Sequence, residues 1–433
     1  MKVAFRTLGC KVNQYETAAL EQIFKDANYN IVDFDSNSDI YVINTCTVTN
    51  LGQRKSRQMI RRAINTNPDA IIVVTGCYAQ TAPEEVLGIF GVDLVIGTQE
   101  RHKILSLINT ISIERQPINA VSDISKQGNF EDISAPFFGE RTRATLKIQE
   151  GCTEFCSYCI IPYARGGIRS RNILSIIEQA ELIVQNGYKE IVLAGIHLGA
   201  YGRDLGNITL VDVLNKLEQV KGLERIRISS IEATEVDDEL LALMKNSDKF
   251  CRHLHLPIQS ATNEILQKMN RKYSLEEYEQ IINKIRHYIP DIAITTDIIV
   301  GFPGETQELF NEGYAFLDRI SFADMHIFKY SKRSGTPASK FDNQVINADK
   351  EKRSQALMIL NKNKKLEYNS KFLNKTLPVI VEQLWQKDSN LYEGHSDNYI
   401  KIIFEANNDD IGKLVNVKVT DIGVDHCFGR KVD

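Results

Sequence analysis

Residues 151–159 read Gly-Cys-Thr-Glu-Phe-Cys-Ser-Tyr-Cys, which sets Cys152, Cys156 and Cys159 at a C-x₃-C-x₂-C spacing with no further cysteine nearby. Thiolates hold iron–sulfur clusters, and a cubane has more irons than this loop has thiols. The iron left over is free to chelate a small molecule, which a fully ligated, electron-carrying cluster cannot do. A zinc site and buried structural thiols are the alternative readings. Structural zinc normally takes a complete tetrahedral set of protein ligands, which this loop does not offer.

A second triple stands apart in the chain. Cys10, Cys46 and Cys77 each follow a run that reads as a buried strand: 3–7, 40–44 and 70–75. Loops after the strands of an open parallel sheet face one crevice, so the three thiols can converge there despite their separation. Gly9 and Gly76 would let the backbone approach a bulky cluster. Unrelated buried thiols are the alternative. Cys251 and Cys427 complete the eight cysteines and read as packing residues.

The elements that must position these residues fall into three groups. Up to residue 112, strands at 3–7, 40–44, 70–75 and 94–96 alternate with helices at 15–27 and 54–64, which predicts a small open parallel α/β sheet. Residues 113–137 are polar, with Pro117, Gly128 and Pro136, and read as a linker. From 138 to 368 a second series follows, with strands at 144–149, 190–194, 225–229, 253–256, 292–300 and 323–328. Helices fit 172–186, 235–244, 275–288 and 306–320. This rhythm predicts a partial (β/α)₆ barrel, whose chemistry would sit at the C-terminal strand ends. The Cys152 loop lies just after the first of those strands. Residues 369–433 change texture: short alternating runs split by Gly, Asn and Asp predict a small antiparallel β-barrel. The fold class is therefore α/β with a small appended β-barrel.

A chain with 43% hydrophobic and 25% charged residues has material for sizeable cores, and no apolar run is long enough to span a membrane. The opening Met1-Lys2-Val3-Ala4-Phe5-Arg6 reads as a strand rather than a signal peptide, so a cytoplasmic location is expected. Eight cysteines then argue for metal or redox chemistry over disulfides. A net charge of −4 does not announce a nucleic-acid binder. The charge is uneven, however. Residues 350–375 hold eight Lys/Arg against two Glu, including Lys362, Lys364 and Lys365. Arg54, Lys55, Arg57, Arg61 and Arg62 form a second basic run, and Arg165, Arg169 and Arg171 a third. Each reads as a solvated helix face or as a phosphate contact.

Taken in order along the whole chain, these features resemble the radical-SAM methylthiotransferase family. The loop at Cys152 is similar to the signature of the radical-SAM superfamily, and the C-terminal barrel resembles a TRAM domain. The segment Thr7-Leu8-Gly9-Cys10-Lys11-Val12-Asn13-Gln14-Tyr15-Glu16 is similar to the branch acting on N⁶-threonylcarbamoyladenosine in tRNA. So is Asn44-Thr45-Cys46-Thr47-Val48-Thr49-Asn50 followed by Arg54-Lys55-Ser56-Arg57. The isopentenyladenosine branch typically has Tyr-Gly-Cys-Gln-Met-Asn at the first place. The branch acting on a ribosomal-protein aspartate typically has Leu-Gly-Cys-Pro-Lys-Asn. This chain has neither.

The resemblance implies two 4Fe-4S clusters, one on Cys152, Cys156 and Cys159 and one on Cys10, Cys46 and Cys77. It implies S-adenosylmethionine (SAM) in two roles, as methyl donor and as radical source. It also implies an electron donor such as flavodoxin or ferredoxin, and the tRNA anticodon stem-loop as partner. The reaction implied is methylthiolation at adenine C2, an unactivated C–H bond that a carbon radical can open and a side-chain base cannot. Strand-end residues suited to SAM are Gly195 and His197 after the second barrel strand, Ser230 and Glu232 after the third, Gln259 after the fourth and Asp297 on the fifth. The usual acidic member of the second-strand motif is missing. Tyr158 sits where an aromatic would stack on the SAM adenine. Arg165, Arg169 and Arg171 are candidate partners for the substrate carboxylate or for phosphates, and Lys362, Lys364 and Lys365 for the tRNA backbone. The rival readings are methylthiolation of isopentenyladenosine or of a protein aspartate, and a two-cluster electron-transfer scaffold without SAM chemistry.

Overall fold

The computed structural model describes all residues except 136–138, 140, 388 and 433. Pro136 and the expected boundary at 137/138 lie outside the described residues. The N-terminal portion is a six-stranded parallel sheet, in the spatial order Asn30–Val32, Lys2–Thr7, Ile40–Thr45, Ile71–Gly76, Leu94–Ile96, Ile118–Ala120. The central strands Ile40–Thr45 and Ile71–Gly76 are buried on both faces, as runs of β-branched residues between helix layers should be. Helices Lys11–Asp26, Asn50–Thr66 and Ile104–Glu114 cover the two faces.

Two expectations change here. The sheet does not stop before residue 112: Ile118–Ala120 pairs in parallel with Leu94–Ile96, inside the stretch expected to be a linker. The rest of that stretch is also held down. Glu131 binds Arg101 at 2.8 Å, Asp132 binds Arg171 at 2.6 Å, and Ala135 is fully buried in the barrel core. Polar composition suggested a free connection, but its carboxylates are there to neutralise buried arginines.

The six expected barrel strands are present. They run Arg143–Lys147, Glu190–Ala194, Arg225–Ile228, His253–His255, Ala293–Val300 and Asp324–Lys329, all parallel. The ladder is continuous within each half and is carried across the middle by single bridges, Ser230 to His255 and Ile226 to Phe250. Helices Ile173–Gln185, Asp238–Asn246, Leu275–Tyr288 and Gln307–Ile320 match expectation, while Leu210–Glu218 and Asn263–Lys268 were not foreseen. Leu210–Glu218 begins at a reciprocal Thr209/Asp212 capping box.

Helix Asn347–Ser370 packs along the last barrel strand and leads into five strands that close into a barrel. That barrel is not wholly antiparallel as expected. Lys401–Glu405 and Cys427–Val432 pair in parallel, and this is the pair that closes it. Its core is Val379, Val381, Ile402, Phe404, Val417, Val419 and the fully buried Cys427. Cys251 is likewise buried, so both spare cysteines are packing residues. Among the described residues no helix is long and apolar enough to cross a membrane.

Candidate active site

The sheet register explains why Cys10, Cys46 and Cys77 meet. Thr7 pairs with Asn44 and Thr45 with Gly76, so all three cysteines emerge from the same C-terminal edge. Close approach is possible because Gly9 and Gly76 lack side chains. Gly9 has φ +105°, and a Cβ there would lie 3.1 Å from Cβ and 3.3 Å from Sγ of Cys46. Gly76 has φ +91°, and a Cβ would strike the backbone of Thr45 and the side chain of Asn44. Asn13 braces the junction, donating to the carbonyl oxygens of Leu8 at 2.7 Å and Thr45 at 3.1 Å.

The second triad is set by a loop pinned at several points. The Cys152 amide donates to the Gly166 carbonyl at 3.0 Å, and the Cys159 amide to that of Cys156 at 2.9 Å. The Ser157 amide donates to Met269 O at 3.0 Å and its hydroxyl to Lys268 O at 2.7 Å. Sγ of Cys152 lies 3.7 Å from Nδ1 of His197, and Sγ of Cys156 accepts from Arg271 at 3.6 Å.

Cys10, Cys152, Cys156 and Cys159 line one cavity of about 510 Å³. Cys46 and Cys77 do not line it; Cys46 is half-buried and Cys77 buried, whereas Cys10 is exposed. All seven residues named from sequence as SAM contacts line this same chamber: Tyr158, Gly195, His197, Ser230, Glu232, Gln259 and Asp297. Several are already engaged. Glu232 is ion-paired with Arg271. Asp297 accepts from His326 at 3.0 Å and faces His255 at 3.2 Å, and these histidines hold its carboxyl below the usual range against the opposing effect of burial. Burial alone would lower the His197 pKa, but its bonds to Cys152 and to Glu235, the latter at 2.8 Å, carry it up to about 10.

The donor sets suit iron–sulfur clusters. Burial pushes Cys77 and Cys159 up to about 12 and raises Cys46 and Cys156. Thiols so placed ionise readily only beside strong positive charge. Arg165 and Arg271 put one guanidinium at each triad, and the cationic irons of a cluster would supply the rest. Open volume in front of the loop triad leaves room for a ligand on the remaining iron.

The arginines expected to reach substrate are buried and do not line the chamber. Arg165 is fully buried: its Nη1 bonds Glu16 and, at 3.0 Å, Glu150, and its Nη2 donates to Asn13 Oδ1 at 2.6 Å. Arg169 donates to backbone carbonyls of Gly167 and Arg165 at 3.1 and 2.8 Å. Arg171 donates to Tyr15 Oη at 3.1 Å and pairs with Asp132. Arg165 holds the N-terminal sheet to the barrel, because its partners Glu16 and Glu150 are buried and need compensation, and Arg171 reaches Tyr15 on the same helix as Glu16. Glu16 alone takes Arg101 at 2.8 Å and Lys147 at 2.9 Å besides Arg165. The basic helix is also partly committed. Lys364 pairs with Asp318 at 2.7 Å and Lys365 with Asp324 at 3.1 Å, while Lys362 is exposed.

The segment from His255 to Ser260, which the sequence offers for polar contacts to SAM or substrate, does bring His255 to the chamber, but sequence reasoning missed Arg271, His253, His326, Lys11 and Tyr399. His253 and His255 carried a signal, since residues two apart on a strand share a face. Tyr399 carried none. It comes from the C-terminal barrel, has φ +67°, and stacks on His253 with ring centroids 4.8 Å apart.

Residues 2–97 match the Uncharacterized protein family UPF0004, and residues 146–317 match the Radical SAM superfamily. The chain is 49% identical to threonylcarbamoyladenosine tRNA methylthiotransferase MtaB of Bacillus subtilis, covering 99% of this chain and 96% of that one. It is 41% identical to the protein of the same name from Aquifex aeolicus, covering 97% and 100%. With the tRNA-2-methylthio-N(6)-dimethylallyladenosine synthase of Acetivibrio thermocellus it shares 35% identity over 96% and 88%. Among solved structures, the radical S-adenosylmethionine methyltransferase TsrM from Kitasatospora setae superposes with a TM-score of 0.56 at 16% identity, covering 76% of this chain and 72% of that one, a likeness of fold. Identity that runs the whole length of the chain, through both cysteine-bearing portions, makes this protein a member of the radical-SAM methylthiotransferase family.

Proposed function

We propose that the protein methylthiolates C2 of N⁶-threonylcarbamoyladenosine beside the anticodon of tRNA. The observation that carries this reading is the single chamber on which Cys10 and all three loop cysteines open. Sulfur source and radical source would then act on one bound base without an intermediate having to leave. Cys152, Cys156 and Cys159 would hold the SAM-binding cluster, and Cys10, Cys46 and Cys77 a second one. When bound, SAM would supply a carbon radical on taking an electron from the first cluster, to remove the hydrogen at C2, and would supply the methyl group for the sulfur carried by the second.

The chain's own part is placement. His197, fixed by Glu235, and Arg271, fixed by Glu232, steady the chamber wall beside Cys152 and Cys156. His255, Asp297 and His326 form a hydrogen-bonded polar edge on the opposite strands. The base must be turned out of the anticodon loop to reach this depth, as base-modifying enzymes require. A flavodoxin or ferredoxin is the expected class of electron donor. Mass spectrometry of nucleosides from tRNA of a deletion strain tests the reading. Loss of 2-methylthio-threonylcarbamoyladenosine, restored by the wild-type gene, is expected. Loss of the isopentenyl derivative instead would move the protein to the sister branch.

A further inference from the structure

A second cavity, of about 570 Å³, lies where the N-terminal portion, the first barrel strands and the C-terminal barrel meet. That is the size of pocket that holds a small organic group, roughly 300–1,000 Å³. Lys11 and Tyr399 line both this cavity and the cysteine chamber, so the two adjoin at these residues. The remaining charged walls are Arg141, Arg143, Arg227 and Glu382.

These cations are not equivalent. Arg143 pairs with Glu382 at 3.2 Å and Arg227 with Glu190 at 2.8 Å. Both also lie over the Tyr399 ring, at 5.6 and 4.7 Å. Arg141 donates to Gln14 at 2.7 Å. Lys11, beside Cys10, has no ion-pair or hydrogen-bond partner among the described residues, and its side chain is exposed to the cavities. An unpaired cation at the boundary between a reaction chamber and a basic pocket is matched by an anion that extends from the reacting group.

We propose that this second cavity is the subsite for the amino-acid side chain on N⁶ of the substrate adenosine, with Lys11 as the counter-charge to its carboxylate. The proposal rests on the substrate reading above. With C2 turned toward the cysteines, a substituent on N⁶ would extend past Lys11 and Tyr399 toward the adjoining pocket of opposite charge. Tyr399, held between His253 and Arg227, gives the apolar part of that side chain a fixed wall.

The test compares two anticodon stem-loops that differ in one group, the N⁶ side-chain carboxylate or its carboxamide. Wild-type protein should favour the carboxylate about tenfold to hundredfold, the range of a hydrogen bond between charged partners. The preference should appear both in kcat/KM and in fluorescence-anisotropy affinity of the SAM-free protein. Lys11→Gln should bring the ratio close to one, with iron content as the check on fold. A wild-type ratio near one overturns the proposal whatever the variant does. Equal weakening of both stem-loops by Lys11→Gln, with the ratio retained, would assign Lys11 to a backbone phosphate and also overturn it. Should Lys11→Gln lose iron, Arg141→Gln takes its place: a reduced ratio supports the subsite and an unchanged one rejects it. Absence of product from any threonylcarbamoyladenosine stem-loop with wild-type enzyme would instead overturn the substrate reading itself.

Discussion

Nε of Arg165 donates to Sγ of Cys77 at 3.2 Å across the junction between the N-terminal sheet and the barrel. Arg165 ends the short helix Ile161–Arg165 that follows the Cys152 loop, so the segment that carries one triad reaches directly to a sulfur of the other. The same guanidinium neutralises Glu16 from the sheet side and Glu150 from the barrel side.

Replacing Arg165 by Leu should therefore destabilise the protein by about 3–5 kcal/mol, since it removes the counter-charge that two buried carboxylates share and leaves them only Lys147 and Arg101. Thermal unfolding of wild type and variant measures it. A shift within a degree or two would show that Lys147 and Arg101 suffice for Glu16 and Glu150.

The two triads should separate by chemistry. Changing Cys152, Cys156 and Cys159 to Ala should remove about four irons and abolish 5′-deoxyadenosine formation. Changing Cys10, Cys46 and Cys77 to Ala should also remove about four irons, but spare SAM cleavage and end methylthiolation. Iron analysis and quantitation of 5′-deoxyadenosine read both. Full iron retention in either variant would refute that triad as a cluster site.

Much of this arrangement was legible in the sequence. Three cysteines behind three apolar runs were enough to bring Cys10, Cys46 and Cys77 together, because parallel pairing puts strand ends on one edge. The seven expected SAM contacts share a chamber for the same reason. Arg165 and Arg171 misled, because their partners Glu16 and Asp132 are distant in sequence and no local pattern marks a buried ion pair; Arg169 misled because its guanidinium turns back onto the carbonyls of Gly167 and Arg165. Ile118–Ala120 was missed because an edge strand of three residues is defined by its neighbour more than by its own composition. Tyr399 belongs to the chamber only through the docking of the C-terminal barrel.

Acid should expose one ion cluster in particular. Burial alone would raise the Glu190 pKa, but Arg227, Arg225 and Arg143 outweigh it and bring it to about 2. A depressed carboxyl contributes stability that is complete above its unfolded value, near 4.5, and is lost as pH falls toward 2. The stability gap between wild type and Glu190→Gln, measured by urea unfolding, should be widest at neutral pH and shrink from pH of about 4.5 downward. A gap independent of pH would point to packing rather than charge.

Binding of tRNA should depend more on helix Asn50–Thr66 than on helix Asn347–Ser370. Arg54, Lys55 and Arg61 are exposed and form no ion pair among the described residues, whereas Lys364 and Lys365 are already paired. Neutralising the first three should lower the log–log salt slope of binding by about 0.7–0.9 for each phosphate that is no longer neutralised by the protein. Neutralising Lys364 and Lys365 should change it little. The reverse pattern in a salt titration would return phosphate binding to the C-terminal helix.

Tyr399 also bears on how truncated forms of the protein are to be read. Because Tyr399 forms part of the chamber wall, cutting away the last five strands would remove that wall and widen the access of bulk water to the chamber. A truncated enzyme that consumed SAM without making product would thus report a leaking vessel, and its inactivity would carry no information about whether the missing barrel grips RNA.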